Sequence, residues 1–104
     1  METDRNGLEV LSREECLTLL ETVPVGRIVV TISALPVILP VHFSVVDGTV
    51  VIRTSPGTKL ATATRNTVVA FEADSVDAQG EVGWSVAVTG TAASVSDPVE
   101  RQAL

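Results

Sequence analysis

The pair Asp47-Gly48 lies between two runs of strand-forming residues, VILPVHFSV before it and TVVIRT after it. Asp-Gly supplies the positive φ angles of a two-residue hairpin turn, so the two runs are expected to lie side by side and antiparallel. Three more runs have the same character. GRIVVTI precedes the turn-like SALP, TVVAFEAD follows later, and WSVAVTGTAASVS alternates strictly, with Trp84, Val86 and Val88 on one face and Ser85, Ala87 and Thr89 on the other. Pro40 has no N–H to give to a ladder, so it belongs at an edge, at a bulge or where pairing opens. Gly90 inside the last run predicts a bend or bulge.

Two helices punctuate the strands. Ser12 and Glu15 form an S-x-x-E capping box ahead of Cys16, Leu19, Leu20 and Val23 at helical spacing, and Pro24 ends the segment, which predicts a helix near residues 12–22. KLATATRN predicts a second, short helix near 58–65. Asp97, Pro98 and Glu100 read as a further helix start, yet the sequence stops at Leu104, so this turn either docks on something or opens a segment that continues in a longer parent. The order α-β-β-β-α-β-β predicts a mainly β, α-containing single domain over residues 1–104. The natural arrangement is a small antiparallel barrel with helices over its openings.

With 45% hydrophobic residues the chain can build a core, and at this size pairing with a second copy would add stability. The formal charge of −6 argues against nucleic acid and against anionic membrane as partners. Cys16, the only cysteine, cannot form a disulfide within the chain. METDRNG is polar and no apolar run of membrane-spanning length follows it, so the cytoplasm is the expected compartment.

Within that acidic chain, residues 22–71 carry Arg27, Arg53, Lys59 and Arg65 against Asp47 alone. The centre of this positive island is IRTSPGTK. Pro-Gly turns the chain tightly between Thr54 and Lys59, so a guanidinium (Arg53), two hydroxyls (Thr54, Thr58) and an ammonium (Lys59) gather at a strand end and a helix start. All are donors, which is the chemistry of a phosphate cradle, although the P-loop spacing G-x-x-x-x-G-K-[ST] is absent. The same residues also fit an ordinary solvated loop.

The pieces LSREECLTLLETVPVGRIVV, LPVHF, VIRTSPGTKL, NTVVAFEAD and GWSVAVTGTA, in this order over most of residues 8–96, resemble the FMN-binding split-barrel family related to pyridoxamine 5′-phosphate oxidase, especially its small actinobacterial-type members. The resemblance implies a small antiparallel split β-barrel that acts as a homodimer, with FMN bound at the interface. It implies that Arg53, Thr54 and Lys59, with Thr58, hold the FMN phosphate. The isoalloxazine ring would lie along Leu39, Pro40, Val41 and His42, and Trp84 and Ser85 would contribute from the partner subunit. The implied activity is redox chemistry on an unidentified small molecule, and no catalytic residue is designated.

Other readings stay open at this level. The same fold binds the deazaflavin F420 in related proteins, a flavin can be held as a sensor or store without catalysis, and His42 is the only histidine available to a haem. His42 and Trp84 each also fit a structural role, and Arg27 fits a second anion contact. The sequence shows no Ser-His-Asp and no paired-carboxylate arrangement. It also ends before the Arg- and His-rich C-terminal region with which pyridoxamine-phosphate oxidases proper hold their substrate.

Overall fold

The computed structural model describes residues 8–55 and 57–93, without the side chain of Lys59. The helix start expected at Asp97-Pro98 lies outside the described residues.

Helix α1 spans Arg13–Leu20 and opens on the expected box: Ser12 Oγ accepts from the Glu15 N–H at 3.1 Å and Glu15 Oε1 accepts from the Ser12 N–H at 3.0 Å. The helix ends two residues earlier than its spacing predicts. Thr22 and Val23 donate to the carbonyls three residues back, Leu19 and Leu20, a tighter winding that closes the last turn ahead of Pro24.

Five strands follow: β1 Val25–Ile32, β2 Leu35–Val46, β3 Thr49–Ile52, β4 Val68–Val76 and β5 Gly83–Thr91, with α2, Lys59–Ala63, between β3 and β4. They form one antiparallel sheet in the order β3-β2-β1-β4-β5, curled into a half-barrel. Asp47 and Gly48 adopt φ of 50° and 75°, the hairpin turn that their identity predicts. The SALP turn is tighter than expected. Ser33 and Ala34 take φ of 52° and 66°, and Leu35 and Pro36 already belong to β2. At the far end of β3, Arg53 and Thr54 fall outside the strand.

Alternation sorts each strand into two faces. The inner face carries Leu20 of α1 against Phe71, Ala73 and Val86, all nearly fully buried. Val41, Phe43, Val45, Val50, Ile52 and Trp84 pack around them. Phe43 and Phe71 meet edge to face with centroids 4.8 Å apart. Ile28 and Val30 of β1 are buried at 4% and 2% exposure, and α2 lies against this strand. The core is thus covered by α1 at one end and α2 at the other.

The bulge expected at Gly90 is absent. Gly90 faces Val69 in a ladder that runs unbroken from Val68–Thr91 to Val76–Gly83. Any curl there comes from strand twist, which needs no inserted residue.

Candidate functional site

The residues singled out from the sequence fall on both faces. Leu39, Val41 and Trp84 are half-buried and point inward, while Pro40, His42 and Ser85 are exposed on the outer face. Trp84 packs against the core cluster, which accounts for it structurally.

The strand edges bring several of these residues together. The Phe43 N–H donates to the Pro24 carbonyl, so the backbone of Phe43 points toward β1. Backbone direction alternates along a strand, so positions 36, 38, 40 and 42 aim their polar groups at the opposite edge of β2. There β3 pairs only as far as Phe43–Ile52. Pro36 and Pro40 therefore sit where no ladder donor is required, as expected for Pro40, and among the described residues the Ile38 N–H and the carbonyls of Pro36, Ile38 and Pro40 line the part of the edge that β3 does not reach. Proline at four-residue spacing on an unpaired edge also blocks a neighbouring strand from adding there.

Arg53 leaves β3 one step past the Phe43–Ile52 pair, where continuing the register would set it beside His42. The loop that follows is held by two hydroxyls. Thr58 Oγ1 caps α2 by accepting from the Ala61 N–H at 3.1 Å and lies 3.0 Å from Thr54 Oγ1, while the Thr58 N–H donates to the Ser55 carbonyl. One hydroxyl hydrogen lies between the two threonines, so the pair keeps one more to offer outward. Arg53, Thr54, Ser55 and Thr58 are all exposed. Among the described residues, Arg53 makes no ion pair. The side chain of Lys59 lies outside the described residues; its backbone begins α2.

Arg27 does not serve as a free anion contact. Its Nη1 is 3.2 Å from Glu72 Oε1 and 3.4 Å from Asp74 Oδ2 across the β1–β4 boundary. The hydrogen bond that Glu72 shares with Asp74, then desolvation and the Asp74 charge, raise the Glu72 carboxyl above its ordinary range, against the opposing pull of Arg27. Local reading of the sequence missed this carboxylate pair. Its one signal was the i, i+2 spacing of Glu72 and Asp74 within a strand.

Among the described residues, one groove of about 410 Å³ lies between the α1–β1 link and β2, and another of about 310 Å³ lies between α1 and β5. Neither is lined by Arg53, Thr54, Thr58 or His42. The donor-rich loop and the open edge of β2 form an exposed shelf instead of an enclosed pocket.

The family model for pyridoxamine 5′-phosphate oxidase matches residues 12–104. The chain belongs to the pyridoxamine 5′-phosphate oxidase-like family. Within this flavoprotein-type family it is 48% identical over 93 residues to the uncharacterised protein Rv0080 of Mycobacterium tuberculosis, an alignment covering 85% of this chain and 61% of that relative. The chain thus spans less than two thirds of that relative's length. Among solved structures, the FAD binding protein from Mycobacterium smegmatis superposes with a TM-score of 0.83 and 44% identity over 92% of this chain and 78% of its own. A candidate pyridoxamine 5′-phosphate oxidase from Corynebacterium glutamicum gives a TM-score of 0.76 and 38% identity over 91% and 69%. The split-barrel reading therefore holds, and a flavin is the cofactor class that the family and the M. smegmatis neighbour point to. Among the described residues, no helix is long and apolar enough to cross a membrane.

Proposed function

We propose that this chain binds FMN as a homodimer and serves an oxidoreductase reaction on a small molecule. The observation that carries the reading is the exposed Arg53-Thr54-Ser55 loop, with its spare hydroxyl hydrogen, next to the open edge of β2. The donor set suits a phosphate: a guanidinium without a carboxylate partner among the described residues, a threonine hydroxyl and, in sequence, Lys59. The open edge can meet the polar rim of an isoalloxazine, a β2 carbonyl accepting from the flavin N3–H and the Ile38 N–H donating to a flavin carbonyl. In this reading Arg53, Thr54 and Lys59 hold the phosphate and Thr58 fixes Thr54. Leu39, Pro40, Val41 and His42 form the strand beside the ring, and Trp84 and Ser85 come from the partner subunit.

When bound, the flavin supplies hydride and single-electron transfer, and the protein supplies orientation and electrostatics. Homodimer formation is supported by apolar residues left exposed on the outer face, with Ile38 at 66%, Val68 at 71% and Val76 at 69%. An interface there would also turn the shelf into an enclosed site.

A second reading, FAD in place of FMN, is favoured by the M. smegmatis neighbour. Both share the riboflavin phosphate that the loop would hold. The absorption spectrum of the purified protein, with the mass of the released chromophore, tests the proposal. FMN is expected. FAD keeps the cradle and changes the tail, F420 makes the protein a deazaflavin binder of the same fold, and a protein that takes up none of the three overturns the reading.

A further inference from the structure

The sheet is built from two units with a narrow join. β1 and β2 pair along the whole of β1, and β4 and β5 along the whole of both strands. Between the units, β1 and β4 pair only through Arg27–Glu72, Ile28–Phe71 and Val29–Ala70. The only ion pairs among the described residues, Arg27 with Glu72 and with Asp74, lie across this seam on its outer face. On the inner face, Phe71 seats against Gly26.

The clamp is unbalanced. Two carboxylates on successive outward positions of β4 share one guanidinium nitrogen, so with both ionised one negative charge is left over, and the carboxylates repel each other. Charge from neighbouring strands does not relieve them. On the outer face, β5 brings Ser85 and Ala87, and the titratable group on β2 is His42, which pairs with Val25 and not with Arg27.

We propose that this seam is a proton-responsive hinge, joined when Glu72 and Asp74 share one proton beside Arg27 and loosened when both are ionised. The direction follows from geometry and is supported by the raised Glu72 carboxyl. A group whose folded value is raised adds stability that is complete below its ordinary value of 4.5 and is lost as the pH rises through the folded value. The seam is therefore firmest in mild acid. If the flavin reading also holds, the hinge lies between the unit that carries Leu39–His42, Arg53 and Thr54 for one flavin and the unit whose Trp84 and Ser85 serve the flavin of the partner subunit.

Native-state amide hydrogen exchange tests the hinge without any flavin, so it can fail or succeed apart from the proposed function. Because the side chains are 49%, 33% and 42% exposed, the effect is modest and needs low salt. From about pH 4 to about pH 7, corrected protection at residues 27–29 and 70–72 is expected to fall about twofold to fivefold relative to the β1–β2 and β4–β5 ladders. Asp74→Asn and Glu72→Gln, each leaving one carboxylate for one guanidinium, are expected to remove that dependence, while His42→Asn keeps it. A wild-type seam that does not loosen relative to the two ladders, or a dependence that survives in both carboxylate variants, overturns the proposal.

Discussion

Phe71 lies directly over Gly26. A Cβ on Gly26 would come within 2.6 Å of Phe71 Cε2 and 2.9 Å of the Glu72 carbonyl oxygen, distances that real side chains do not tolerate. The absence of a side chain at this one position of β1 lets the Phe71 ring cross the seam and meet Phe43 edge to face.

Gly26→Ala is therefore expected to destabilise the fold by about 1–3 kcal/mol through overpacking, a drop of at least several degrees in the melting temperature. Gly90→Ala is the matched control. A Cβ there meets nothing within 4 Å, so the melting temperature should hold or rise slightly. Equal effects in the two variants would mean that Phe71 does not depend on the bare backbone of Gly26.

The capping box of α1 makes a pH-dependent prediction. Hydrogen bonds from the Ser12 backbone and side chain hold the Glu15 carboxyl below its ordinary value of 4.5. A lowered folded value means that the stabilisation is complete above the ordinary value and is lost as the pH falls through the folded one. Glu15→Gln should thus be less stable than wild type at neutral pH, with the gap closing in acid. Ser12→Ala should cost about 1 kcal/mol at neutral pH. Thermal melts at neutral and acid pH measure both, and a gap for Glu15→Gln that widens in acid would contradict the box as drawn.

If the exposed apolar outer face joins two copies, Ile38→Lys together with Val68→Lys should leave the protomer folded, because both side chains are more than 60% exposed. Light scattering should then report a protomer mass where wild type gives twice that mass. A wild-type protein that is monomeric at micromolar concentration, or a variant that stays paired, removes this face as the interface.

Features set by neighbours in the chain were legible in the sequence. Ser12 with Glu15 and Asp47-Gly48 carry their geometry within a few residues, and the strict alternation around Val86 sorts β5 into two faces. Pro40 announced an unpaired position, and the open edge beyond Phe43 is where it lies. Features set by distant pairing were not legible. Arg27 reads as a free cation until β4 arrives 45 residues later with Glu72 and Asp74. Gly90 reads as a bend because glycine so often marks one, yet an unbroken partner strand keeps it in register. Ser33 and Ala34 take positive φ without glycine because the hairpin twist demands it, and this draws Pro36 into β2. Of the candidate site, the donor loop was readable as a cluster. Its place beside the open edge of β2 emerges only from the β2–β3 register.

The central claim is that the Arg53–Lys59 loop holds a flavin phosphate, and the most direct test is to titrate wild type, Arg53→Ala and Lys59→Ala with FMN and with riboflavin. A charge-assisted contact contributes about 1.5–3 kcal/mol, so each variant should bind FMN about 10- to 100-fold more weakly. Riboflavin, which has no phosphate, should bind all three proteins almost equally. Unchanged FMN affinity in both variants, or equal losses for FMN and riboflavin, would contradict the cradle and leave these cations as solvated surface charges.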